Sequence, residues 1–226
     1  MTAALARVVS VNVGAPRLVR WRNRDVLTSI FKHPVAGRVA VQGVNVAGDD
    51  QADRSVHGGP DKAVYAYAQE DLEWWSDELG VSLGPGAFGE NLTVAGVAVT
   101  EAMIGERWRV GDVLLEVCAP RTPCYKLGIR MGEDGFPRLF AAASRPGAYL
   151  RILAAGTIAT DDALIVEHRP SHGVTVHTVA EAYHHDHSRA AELLAAPELP
   201  ENWRAWARAL VARPRPSRTG TGARPA

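Results

Sequence analysis

Short β-branched runs, separated by glycine, proline and aspartate, dominate this chain and constrain its fold more than any other feature. Candidate strands cover residues 7–13, 39–44, 64–67, 91–94, 97–100, 113–118, 149–153 and 163–168. Many short strands with turns between them predict a mainly β, α+β fold of barrel or sandwich type rather than a doubly wound sheet. Within 113–118, Val113, Leu115 and Val117 share one face, which reads as core, and Leu114, Glu116 and Cys118 share the other.

Helical patterns interrupt the strands. Residues 69–79 place Leu72, Trp75 and Leu79 on one stripe, with Glu70, Asp71 and Glu73 early, where the helix dipole favours acids. A short helix is expected over 137–143. After about residue 173 the pattern becomes helical: Thr178 and Glu181 read as a capping box, Ser188 as the cap of a second short helix, and 202–211 as a third. The expected organisation is therefore a β domain over 1–172, a three-helix extension over 173–212 and a disordered tail over 213–226. That tail holds four arginines with proline, glycine and threonine and no packing pattern.

Charge narrows the choice of partners. Lys plus Arg and Asp plus Glu both number 25, which removes the usual electrostatic reason to expect nucleic acid or an anionic membrane. No segment approaches the roughly twenty apolar residues that span a bilayer, and the N-terminus lacks a secretory pattern. Two cysteines, Cys118 and Cys124, are too few for a disulfide framework, so a cytoplasmic protein is expected.

Three segments carry candidate chemistry. In the first, residues 118–127 (CAPRTPCYKL), Pro120 and Pro123 force extended backbone before them, Thr122 suits a helix N-cap, and Cys124 falls in the first helical turn. The positive end of that helix, with Arg121 and Lys126, favours thiolate over thiol, the form needed by a soft-metal ligand or a nucleophile. A buried cysteine is also an ordinary small hydrophobe, and that reading stays open for Cys118 above all. In the second, residues 48–63 (GDDQADRSVHGGPDKA), Gly58 and Gly59 permit close backbone approach to an anion, while Arg54, His57 and Lys62 supply donors for phosphate or oxo groups; a solvated turn is the alternative. The third, residues 86–93 (GAFGENLT), offers Asn91 as donor and acceptor and Glu90 as a proton-transfer group, and by itself reads as a turn. A cluster of His184, His185 and His187 lacks an evident fourth ligand and reads as a solvated helix end.

Taken in order, the segments 48–67, 88–92 (FGENL), 105–112 (GERWRVGD) and 120–127 (PRTPCYKL) resemble the MOSC domain, closest to its stand-alone bacterial YiiM-type members, over about residues 7–170. The resemblance implies a MOSC-type β-barrel and a molybdenum–pterin cofactor with Cys124 as the metal ligand. It places His57, Gly58, Gly59, Asp61 and Lys62 at the cofactor or substrate pocket, with Arg121 and Asn91 as further pocket residues. It also implies an oxidoreductase that reduces N-hydroxylated compounds such as hydroxylamino-purines, with His57 or Asp61 orienting or protonating the substrate. A sulfur or cofactor carrier without turnover is the alternative. Pyridoxal phosphate chemistry, for which Lys62 is the one lysine in a suitable setting, is disfavoured. Electrons must come from a separate reductase, because no dinucleotide motif follows a strand and two cysteines cannot hold an ordinary iron–sulfur cluster. The oligomeric state is not legible.

Overall fold

The computed structural model describes residues 5–51 and 58–212. Strand β1 (Arg7–Val13) leads into a hairpin of β2 (Arg17–Trp21) and β3 (Arg24–Thr28), then the short strands β4 (His33–Pro34), β5 (Val39–Gln42) and β6 (Asn45–Val46). Next come β7 (Val64–Ala68), helix α1 (Gln69–Leu79), β8 (Leu92–Ala95), β9 (Arg107–Val110) and β10 (Val113–Pro120). Two short helices, α2 (Tyr125–Met131) and α3 (Phe136–Ala142), precede β11 (Ala148–Ala154), β12 (Gly156–Ile158) and β13 (Leu164–His168). The chain ends in α4 (Val176–His184), a 3-10 helix (His187–Ala195) and α5 (Glu201–Val211).

The fold is α+β, built on an eight-stranded sheet in the order β13-β9-β10-β11-β7-β8-β1-β4. Neighbours are antiparallel except β7 and β8, which run parallel because α1 crosses between them. The sheet curls strongly. Leu164 N–H donates to Ala6 O at 2.8 Å, and Val8 N–H donates to Asp162 O at 3.0 Å, so the start of β13 meets the start of β1 from the far side of the sheet. This gives the barrel-like form that many short strands predict.

Both faces of β10 are covered. Val113, Leu115 and Val117 are fully buried, as the alternation predicts, yet Glu116 and Cys118 on the opposite face are buried too. Helix α4 packs against β10, and Val176, Val179, Leu193 and Ala207 of the C-terminal helices join one continuous core with the strands. A second, aromatic core lies under α1, α2 and α3. Trp75 stacks on Phe140 with ring centroids 5.8 Å apart, and Phe88 meets Phe140 edge-on at 5.1 Å. Leu127 of α2 is fully buried in this cluster, so the aromatic core fixes the helix that follows Cys124.

Several local expectations need correcting. Residues 97–100 are not a strand: Gly96, at φ 76°, ends β8, and a 3-10 turn occupies Val99–Glu101. Apolar alternation there reflects one buried valine, not a pleat. The capping box of α4 is Thr175 with Thr178, one turn earlier than Thr178 with Glu181. The next helix is capped by Asp186, whose side chain accepts from Ser188 N–H, and not by Ser188 itself. Helix α2 begins after Cys124, with Cys124 rather than Thr122 at the N-cap. The tail over 213–226 lies outside the described residues.

Candidate functional site

The strand β10 ends at Pro120, and the following residues run extended to Cys124, at φ −118° and ψ 171°. Leu127 N–H donates to Cys124 O at 2.9 Å, which closes the first turn of α2 on the cysteine. Cys124 is half-buried and opens onto a pocket, whereas Cys118 is fully buried in the strand. Cys118 Sγ donates to Glu116 O at 3.3 Å, and burial pushes its thiol up to about 12. The two cysteines therefore occupy chemically different settings.

The pocket is strongly cationic. Lys32, Lys62, Arg121 and Lys126 line it, against Asp49 and Asp50 among the described residues. Arg121 is 6% exposed, with its Cζ 5.3 Å from the centroid of the Tyr65 ring and 5.6 Å from that of Phe140. Its Nη1 is buried without a hydrogen-bond partner among the described residues. A buried guanidinium N–H left without an acceptor costs about 1–3 kcal/mol or more. An anion in the pocket is the natural acceptor, since the guanidinium fork suits phosphate and oxo groups.

Beneath the cations lies a network that sequence reasoning did not single out. Asp49 is buried, pairs with Lys32, and accepts from Gly14 N–H and Asn91 Nδ2, each at 2.9 Å. Burial lowers the Lys32 pKa, and the facing Asp49 works against that shift. Asn91 Oδ1 accepts from Tyr65 N–H at 3.1 Å. Asn91 thus lines the pocket, and its amide ties β7 to Asp49. Nothing marks Lys32 in its own stretch of sequence. Asp49 sits within the glycine-rich 48–63 segment, and that was the available signal.

The 86–91 turn supports this floor. Gly86, at φ 82°, and Gly89, at φ 79°, lie against the 30–32 backbone: a Cβ would meet Lys32 O at 2.7 Å and Ile30 Cγ1 at 2.8 Å respectively. Glu90 is fully buried and accepts from Gly86 N–H, Phe88 N–H and Thr93 Oγ1 at 2.5–3.0 Å. Burial raises its pKa, and these donors work against the rise. Its geometry is that of a clamp on the turn.

The remaining expected residues divide between two places. Lys62 borders the Cys124 pocket, and burial lowers its pKa. Gly58, Gly59 and Asp61 border an adjoining cleft instead, where Asp61 pairs with Arg151 at 2.8 Å. Arg54 and His57 lie outside the described residues. The described residues contain no cluster of three or more metal-ligating side chains, so the His184–His187 region offers no separate metal site. No described helix is long and apolar enough to cross a membrane.

The MOSC domain family model matches residues 53–165, half of the chain. Protein YiiM of Escherichia coli is 31% identical over 78% of this chain and 81% of its own length. The chain belongs to the MOSC domain family. A crystal structure of YiiM from Geobacillus stearothermophilus superposes with a TM-score of 0.75 at 28% identity, covering 92% of this chain and all of that one, which makes this a YiiM-type MOSC protein. A protein of Gibberella moniliformis named "Reductase" is 32% identical over 65% of this chain, but over only 27% of its own length. The MOSC family is associated with molybdenum-cofactor binding, and the donor set of the pocket suits such a group: one accessible cysteine, a guanidinium whose Nη1 has no partner among the described residues, and three lysines.

Proposed function

We propose that this MOSC protein holds a molybdenum–pterin cofactor through the Cys124 thiolate and reduces N-hydroxylated compounds, such as hydroxylamino-purines, to amines. The observation that carries the proposal is the pairing of accessible Cys124 with the unpartnered, buried Nη1 of Arg121 at one cationic pocket. The fungal relative named a reductase supports an oxidoreductase.

The overall reaction balances as R–NHOH plus two electrons and two protons giving R–NH2 and water. The bound group would supply the two-electron redox chemistry. The protein's part is binding and orientation. Cys124 Sγ ligates the metal, and a soft thiolate suits that task. Arg121, Lys62 and Lys126 hold the anionic end of the pterin, and Asn91 fixes the floor through Asp49 and Lys32. Asp61, charge-paired with Arg151 at the adjoining cleft, is assigned the role of accepting a hydrogen bond from substrate. His57 is assigned the proton-donor role. No second redox group is assigned, so the electrons come from a separate reductase.

The test is protein made in a molybdopterin-producing host, assayed for bound molybdenum and for reduction of 6-hydroxylaminopurine by reduced methyl viologen. Bound metal with viologen-driven turnover is expected. Bound cofactor without turnover would instead make the protein a carrier, and absence of cofactor would overturn the site.

A further inference from the structure

A second cleft of about 450 Å³ adjoins the Cys124 pocket and shares Lys62, Thr122 and Tyr149 with it. That size lies within the range of about 300–1,000 Å³ typical of small-molecule sites. Its outer wall comes from the C-terminal helices: Tyr183 of α4 with Trp203 and Trp206 of α5. Tyr183 lies 5.0 Å from the Trp203 ring and 5.2 Å from the Trp206 ring, centroid to centroid, in edge-on and tilted arrangements. Trp203 is 9% exposed and anchors the group, but Tyr183 remains 39% exposed and Trp206 is only half-buried. Large rings left open in a concave site offer faces to a ligand.

Charge distinguishes the two cavities. The Cys124 pocket has four cationic side chains, suited to an anion. The second cleft has Lys62, which it shares, the carboxylate of Asp61, itself paired with Arg151, and the exposed amide of Asn202. That lining suits a neutral ring bearing N–H and ring-nitrogen groups.

We infer that this cleft seats the organic part of the substrate, a planar nitrogen heterocycle, with its N–O group directed past Tyr149 and Lys62 toward Cys124. The inference rests on the reductase reading for the identity of the reacting group. Trp206 and Tyr183 stack on the ring, and Asp61 and Asn202 meet its polar edge. The C-terminal helices thereby select aromatic substrates for a centre built by the sheet.

Intrinsic tryptophan fluorescence of cofactor-free protein, titrated with 6-hydroxylaminopurine, tests the site without turnover. Trp206→Leu removes the ring while keeping an apolar side chain and should weaken binding about ten-fold, as loss of one stacking face does. Trp206→Phe should retain most of the affinity, and Asn202→Ala, at an exposed position, should weaken binding in a fully folded protein. In loaded protein the ratio of kcat/KM for 6-hydroxylaminopurine over N-methylhydroxylamine should fall about ten-fold in Trp206→Leu. Unchanged base affinity in both Trp206→Leu and Asn202→Ala would overturn the inference, as would loss of pterin content in Trp206→Leu, which would give the cleft to the cofactor. A protein that binds the base but never reduces it would sink the reductase reading and leave this site standing.

Discussion

Burial raises the Cys118 thiol from an ordinary 9.0 to about 12, so the folded chain keeps that proton where the unfolded chain has released it. The resulting stabilisation is whole below about pH 9 and is lost as pH climbs toward 12. Cys118→Ala should therefore flatten the alkaline decline of stability across that window, at a cost near neutrality of about 1 kcal/mol. Denaturant melts of both proteins from pH 7 to 11 check this, and an equally steep decline in Cys118→Ala would count against it. Lys32 is a second case in which burial decides. Lys32→Met leaves Asp49 buried without its cation, and unfolding should become easier by about 3–5 kcal/mol. A loss under 1 kcal/mol by urea titration would mean that Gly14 N–H and Asn91 suffice for Asp49. The role of Cys118 was open in the sequence because strand alternation assigned only the opposite face, Val113, Leu115 and Val117, to the core. Both faces of β10 are covered in the fold, where α4 packs against the strand, and no pattern local to 113–118 announces a helix arriving from much further along the chain. Lys32 was invisible for a related reason: its partner is seventeen residues away, and only the folded 86–91 turn brings its backbone into register.

At the scale of elements, the strands with clear alternation and firm turns were legible, as was α1, whose stripe of Leu72 and Trp75 packs as expected. Helix starts were misplaced by up to three residues, because serine and threonine were plentiful there and the deciding hydrogen bonds depend on backbone direction. Thr175 accepts from Thr178 N–H at 3.0 Å, so Thr175→Ala should destabilise the protein by about 1 kcal/mol. Thr122 is exposed and caps nothing, so Thr122→Ala should leave the melting temperature unchanged. A reversed order of these two effects in thermal melts would restore the earlier helix assignment. The β2–β3 hairpin was missed altogether. Its five-residue strands expose Leu18 and Leu27 and bury only Val26 and Thr28, too short an apolar alternation to read as a strand pair.

For the whole molecule, the sequence carried the family and the order of the site segments, but not the way the curled sheet and the C-terminal helices together frame two adjoining cavities. The reductase reading makes the protein dependent on an outside electron source. NADH alone should support no turnover of 6-hydroxylaminopurine, and addition of a flavoprotein reductase should restore it; brisk turnover with NADH alone would contradict that dependence. The central claim is that one thiolate, Cys124, connects this chain to its metal. X-ray absorption at the molybdenum edge reads that bond directly in loaded wild-type protein, Cys124→Ser and Cys118→Ala. The account predicts one sulfur ligand lost in Cys124→Ser and none lost in Cys118→Ala. Loss of a sulfur in Cys118→Ala, with the Cys124→Ser spectrum unchanged from wild type, would contradict it.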